Sequence, residues 1–269
     1  MLIGDLEDEL LVRFPRSDAE PWDHVGMSVG DPRQEVTGVC CALDATCEAV
    51  RAASSLGCNV LLTHHPVYLD APSCFAPRGD ERSTPGGSAV FEAVKADVSI
   101  ISLHTNLDRS LEARTCLPAC MGFEAVSSLE FADDPAAHGL GSLAHAEGTS
   151  LLDVAHRAQD AFSTEVQVWG DATAPVRTVA FLGGSLGDFG NAALAAHADA
   201  IITGEVSYHR AQELMVRGLS VVLLGHDRSE QPFCRILADA AADAGVPHNS
   251  IHIIPLPRQW WTTSQGGNQ

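Results

Sequence analysis

Lysine occurs once in this chain, at Lys95, and lysine and arginine together number only 16 against 35 acidic residues, for a formal net charge of −19. A surface this acidic repels phosphate backbones, and no Lys/Arg cluster interrupts it, so nucleic-acid binding is disfavoured. No apolar run approaches the ~18 residues a membrane-spanning helix needs. The opening MLIGDLEDELL carries acids and no basic segment, which gives no sign of a secretory leader and sets the expectation of a cytoplasmic protein. None of the eight cysteines forms a CxxC pair, and several lie in apolar runs such as VCCALDA; they read as buried free thiols of a reducing compartment, and Cys116 and Cys120, four apart, as packing on one helix face. The GK[ST] of a P-loop and a GxSxG elbow are both missing, as is any Ser-His-Asp order. No repeat of short period is visible.

What is present is a core-forming chain of 269 residues, 45% apolar, in which strand-like and helix-like stretches alternate. TGVCCAL (37–43), NVLLT (59–63) and VSIISL (98–103) read as strands; CEAVRAASSLG, stopped by Gly57, and SAVFEAVKAD read as helices. The softer stretch EFADDPAAHG (130–139) breaks the rhythm and suggests two lobes, 1–127 and 128–269. In the second, VRTVAFLG, ADAIITG and LSVVLLG are strands ending in glycine, AALAAHA, HRAQELMVRG and CRILADAAADAG are helices, and IHIIP (251–255) is a last strand before a tail, TTSQGGNQ, expected to be disordered. Continuous apolar strands covered by helices predict an α/β fold of two lobes with mostly parallel sheets.

In such sheets ligands bind beyond the carboxyl ends of the strands. Polar residues there are of metal-ligand type: His64 and His65 after 59–63, His104 and Asp108 after 98–103, and His226 with Glu230 four residues on, after LSVVLL. A helix starting near 227 turns His226 and Glu230 toward one side and sets the carboxylate at the positive end of the helix dipole. A histidine at one strand end is ordinarily just hydrogen-bonded, but three strand ends armed alike point to a metal site. These ligands are too many for one tetrahedral ion and suit two, with imidazoles terminal and carboxylates bridging, and with His64 and His65 each serving a different ion. Glu205 and His209, in ITGEVSYHR, follow another strand end and are candidates for substrate contact or proton transfer, or else a capping carboxylate and a packed histidine. FLGGSLGDFG (181–190) reads as a tight turn between lobes or a phosphate cradle. Asp44, in ALDAT, reads as a helix N-cap.

The segments ALDAT, LLTHHPVYL, SLHTNLD, ITGEVSYHRA and GHDRSE, in this order, with the opening WDHVGMSVGDP, resemble the Nif-three-like family, whose members are dinuclear-metal proteins often named GTP cyclohydrolase I type 2 homologues. The resemblance runs over residues 1–255; His24 stands where that family usually has Asn. It implies two α/β lobes with the metals in the cleft between them, and a ring-shaped homo-hexamer with the sites facing its interior. By motif match it implies His64, His65, Asp108, His226 and Glu230 as ligands of two divalent ions, with His104 in or near the layer of residues behind those ligands and a further catalytic candidate; mixed imidazole and carboxylate donors suit Zn, Fe, Mn or Co. The activity implied is metal-dependent hydrolysis of a small nucleotide-like, phosphoester or amide substrate. The alternative is a non-enzymatic metal-binding ring acting as scaffold, metallochaperone or regulator.

Overall fold

The computed structural model describes residues 1–255 and Trp260; the tail 262–269, expected to be disordered, lies outside the described residues. The chain runs α1 (Ile3–Arg13), β1 (Gly26–Val29), β2 (Val39–Ala42), α2 (Cys47–Ser55), β3 (Val60–Thr63), α3 (Pro85–Ala96), β4 (Ser99–Ser102), α4 (Thr105–Asp108) and α5 (Leu111–Cys120). It continues with β5 (Ala125–Ser127), β6 (Ser142–Ser150), α6 (Leu151–Phe162), β7 (Gln167–Trp169), β8 (Pro175–Ser185), α7 (Phe189–Ala195), β9 (Ala200–Glu205), α8 (Tyr208–Val216), β10 (Ser220–Leu223), α9 (His226–Glu230), α10 (Phe233–Asp243) and β11 (Ile251–Ile253).

Among the described residues the strands form two sheets, in the orders β1-β4-β3-β2-β11 and β5-β6-β8-β9-β10-β7. In the first, β11, β2, β3 and β4 are parallel and only the edge strand β1 is antiparallel. Strands β2, β3 and β4 are buried at every position, as expected of parallel strands covered on both faces. The second sheet departs from the expectation of mostly parallel pairing. Only β8, β9 and β10 run parallel, while β5, β6 and β7 join antiparallel. The departure has a local cause: β6 (SLAHAEGTS) is poor in β-branched residues, and its register against β8 shifts between His145 and Thr149, around Gly148 at φ +73°, so its sequence carries little strand signal.

A division at residue 127 does not follow the strands. β5 already belongs to the second sheet, and β11, from the far end of the chain, returns to pair with β2 of the first. Helix α10, which precedes β11 in the chain, packs against β2, β3 and β11. Its buried face, Phe233, Ile236, Leu237 and Ala240, fuses with α1 (Ile3, Leu6, Leu10) and with Phe181 and Ile202 of the second sheet in one continuous apolar core. Burial of such side chains is worth roughly 1.5–3 kcal/mol each, so this shared core couples the two sheets. Arg109 adds a polar tie. It donates to Glu130 at 3.0 Å, to the Asp18 carbonyl at 2.8 Å and to Glu20. No helix among the described residues is long and apolar enough to cross a membrane, and all eight cysteines are free thiols.

Candidate metal centre

The carboxyl ends of β3 and β4 in one sheet face those of β9 and β10 in the other, and the polar residues after each strand meet there. His64 is fully buried. Its Nδ1 lies 2.9 Å from the Leu103 carbonyl, which can only accept, so the proton sits on Nδ1 and the Nε2 lone pair is left bare. That Nε2 is buried without a hydrogen-bond partner. It is aimed at Asp108 Oδ1, 3.5 Å away, and Glu230 Oε1, 3.8 Å away, both too far for a good hydrogen bond.

The other imidazoles repeat this arrangement. His65 Nδ1 donates to Asp44 Oδ1 at 2.7 Å, His226 Nδ1 to Glu205 Oε1 at 3.0 Å, and His104 Nδ1 to Asp23 Oδ1 at 2.9 Å. Glu230 then gathers the inward nitrogens: its Oε2 is 2.9 Å from His65 Nε2 and 3.1 Å from His226 Nε2. Two overlapping triads result, His64–His65–His104 and His65–His226–Glu230, with the ligand atoms of each within 4.8 Å of one another. Rings anchored through Nδ1 to an oxygen, with Nε2 presented inward, are the arrangement that metal-binding histidines adopt. A buried nitrogen with no partner fits the same purpose, and mixed imidazole and carboxylate donors suit Zn, Fe, Mn or Co.

The electrostatics agree. Burial drives Glu230 up, but hydrogen bonds from His226 and His65 and the nearby His64 ring outweigh it and hold the carboxyl well below its usual range. Burial pulls His65 down, yet Asp44 and Glu230 raise it to about 10; Glu230, against partial burial, raises His226 to about 9. Asp108 is pushed up by burial in spite of His64. Without cations, protons on the imidazoles must therefore balance the carboxylates, and metal ions would take the place of those protons.

Glycines make room for Glu230. A Cβ on Gly184, at φ +62°, would stand 2.3 Å from Glu230 Oε1, and one on Gly204 would stand 2.7 Å from Ser229 Oγ and 2.8 Å from His226 Cα. The Gly184 N–H donates to Ser229 Oγ at 2.9 Å and the Leu186 N–H to the Glu205 carbonyl at 3.0 Å. The GGSLG turn is thus spent on seating α9, and these two amides are not free to hold a phosphate.

Of the residues singled out in the sequence, His64, His65, His104, Asp108, His226 and Glu230 come together. Glu205 reaches the cluster through His226, as the anchor of its ring. His209 does not join: it is exposed on α8, its ring against Tyr208. The N-cap role expected of Asp44 is corrected. Thr46 caps α2, accepting from the Ala49 N–H at 3.1 Å, and Asp44 is turned to His65. Asp23 was missed. Its side chain is fully buried and also accepts from the Thr105 N–H at 3.0 Å and from the Thr105 hydroxyl. Despite burial, these bonds and His104 hold its carboxyl far below the usual range. Asp44 could have been found by the strand-end rule, since it follows β2; Asp23 stands on a loop, where that rule is silent. His24, the departure from the family pattern, packs edge-on against Tyr68.

Comparison with known proteins agrees with the fold and with the family resemblance. A GTP cyclohydrolase 1 type 2 homolog of Streptomyces coelicolor is 30% identical over 260 residues, spanning 93% of this chain and 90% of that protein. Among solved structures, a Staphylococcus aureus hypothetical protein matches with a TM-score of 0.86 at 23% identity, over 97% of this chain and 99% of the other. A Bacillus cereus protein related to NIF3 matches with a TM-score of 0.84 at 19% identity, over 97% and 99%. The model of the Duf34/NIF3 (NGG1p interacting factor 3) family matches residues 1–257, and the chain belongs to that family.

Proposed function

We propose that the cleft between the two sheets holds two divalent metal ions and that the protein is a metal-dependent hydrolase of a small, nucleotide-like substrate. The single observation that carries this is the set of four imidazoles, His64, His65, His104 and His226, each tied through Nδ1 to an oxygen and presented toward Asp108 and Glu230. His65, His226 and one oxygen of Glu230 would hold one ion; His64, Asp108 and the other oxygen of Glu230 would hold the second. Bound there, the ions would lower the pKa of a bound water and polarise a C=N, carbonyl or phosphoryl group. His104, oriented by Asp23, is the group placed to hold or pass a proton beside them. The substrate class follows the name carried by relatives such as the Streptomyces coelicolor protein. Metal analysis of the purified protein after supplementation tests the reading, with a hydrolysis screen of nucleotides, phosphoesters and amides alongside. Two ions per chain are expected in the wild type and His104→Ala, and fewer in Glu230→Ala. One ion or none in the wild type, or both retained by Glu230→Ala, would sink it.

A further inference from the structure

Cys116 and Cys120 stand four residues apart at the carboxyl end of α5, so their side chains share one helix face. Cys116 packs against the core, whereas Cys120, the last residue of the helix, is exposed. Packing therefore accounts for the first thiol and not for the second. The two thiols act on each other. A hydrogen bond to Cys116 lowers Cys120 to about 7, against partial burial, and the same bond together with burial drives Cys116 far above its usual range. Two sulfurs thus share one proton, and the other is lost near neutral pH. A second interacting pair, Cys40 with Cys58, is closed off at 0% and 3% exposure and offers a ligand no way in.

Two linkages could join Cys116 to Cys120, and geometry separates them. A disulfide needs Cβ atoms roughly 3.5–4.5 Å apart, whereas residues four apart on a helix hold theirs about 5–6 Å apart. A metal–thiolate bond is about 2.3 Å long, so an ion set between two sulfurs spans about 4.6 Å and asks less of the helix. Among the described residues no third histidine, cysteine or acid joins the pair within 4.8 Å. Structural zinc takes four ligands; a soft monovalent ion such as Cu(I) accepts two thiolates.

We propose that Cys116 and Cys120 form a two-thiolate site for a soft monovalent ion of the Cu(I) class, separate from the histidine–carboxylate cluster. Cys120 receives the ion from solvent, and Cys116 closes on it from the core side. Both S–H protons leave to solvent as the two sulfur–metal bonds form, so one Cu(I) and two thiolates make a site of net charge −1.

The test is anaerobic competition between the full-length protein and bicinchoninate, a chromogenic Cu(I) chelator, repeated on Cys116→Ser, Cys120→Ser and Cys74→Ser. The wild type should withdraw one Cu(I) from the chelator. Loss of an outer partner of a metal typically costs ~10–100-fold in affinity, so loss of either sulfur should weaken Cu(I) at least tenfold, with Cys74→Ser unchanged. Melting curves check that the variants fold; should Cys116→Ser fail to fold, Cys120→Ser, at the surface, decides alone. No Cu(I) withdrawn by the wild type, a loss under tenfold in Cys120→Ser, an equal loss in Cys74→Ser, or Zn(II) held at this pair as tightly as Cu(I) overturns the inference. None of these outcomes bears on the ions proposed for the cleft.

Discussion

Replacing Gly184 by Ala should strip metal from the site, and Gly187→Ala, three residues along the same turn, should not. Both glycines lie in the left-handed region, at φ +62° and +49°, so both alanines incur a similar backbone penalty of roughly 1–2 kcal/mol. The difference lies in what the new methyl meets. Nothing lies within 4 Å of a Cβ at Gly187, whereas at Gly184 it would stand 2.3 Å from Glu230 Oε1, 3.1 Å from Glu230 Cδ and 3.2 Å from His226 Nε2. Restoring ordinary contact requires the carboxylate to retreat by about 1 Å. Ligand distances at a metal are held to roughly 0.2 Å, so a shift several times larger would remove Glu230 from the proposed ions. Loss of an outer partner typically costs ~10–100-fold in affinity; a displaced carboxylate ligand should cost at least the upper end, about 2.7 kcal/mol. Metal content after desalting, and competition against a chelator of known affinity, give the numbers. Thermal unfolding of the stripped variants subtracts the shared backbone cost. Should Gly184→Ala hold metal as tightly as Gly187→Ala does, Glu230 is not a ligand in the position described, and the role assigned to the GGSLG turn fails with it.

Two further outcomes are expected. Asp23→Asn should leave metal content unchanged but weaken the orientation of His104: the Nδ1–H resonance of that ring should shift or vanish in imidazole NMR while those of His64, His65 and His226 persist, and an unaltered His104 signal contradicts the role. In the stripped protein, His65 and His226 have folded pKa values of about 10 and about 9 against 6.5, so their contribution is complete below pH 6.5 and is lost as pH rises through 9 to 10. The melting temperature of stripped protein should therefore fall from pH 6.5 to 9, and more steeply than that of metal-loaded protein, in which ions replace those protons; parallel slopes would refute it.

The sequence was readable where the candidate site is built from the ends of buried strands. Apolar runs such as NVLLT mark their own strand, and the residue after each run lies near the cleft whatever the details of packing, which is why His64, His65, His104, Asp108, His226 and Glu230 could be named. Helix α9 begins at His226, within a residue of its expected start. Legibility ended where pairing partners are distant. β11 reads as a strand, but nothing local says that it pairs with Val39–Cys41 of the first sheet. β6 and β7 lack the apolar alternation that would mark them. Asp44 was assigned by its local pattern, a carboxylate before a helix, when Thr46 two residues on was the better cap and His65, twenty-one residues away, was the real partner. Asp23 lies eighty-one residues from His104, a distance at which local pattern carries no information.

The topology also explains why one carboxylate can be asked to serve both sides of the cleft. His64 and His65 ride on the first sheet, and Glu230 leaves the second on α9; the chain separation between His65 and Glu230 is 165 residues. Immediately after Glu230 the chain enters α10, which packs on β2 and β3, and then β11, which joins the first sheet beside β2. The segment bearing His226 and Glu230 is thus held at one end by β9 and β10 and at the other by the sheet that carries its partners. Drawn together in this way, the buried Glu230 and the inward imidazoles of His64 and His65 are costly to keep without compensating charge. Protons can supply it, and metal ions would supply it in their place, so whatever binds the cluster would also fasten the chain across the cleft.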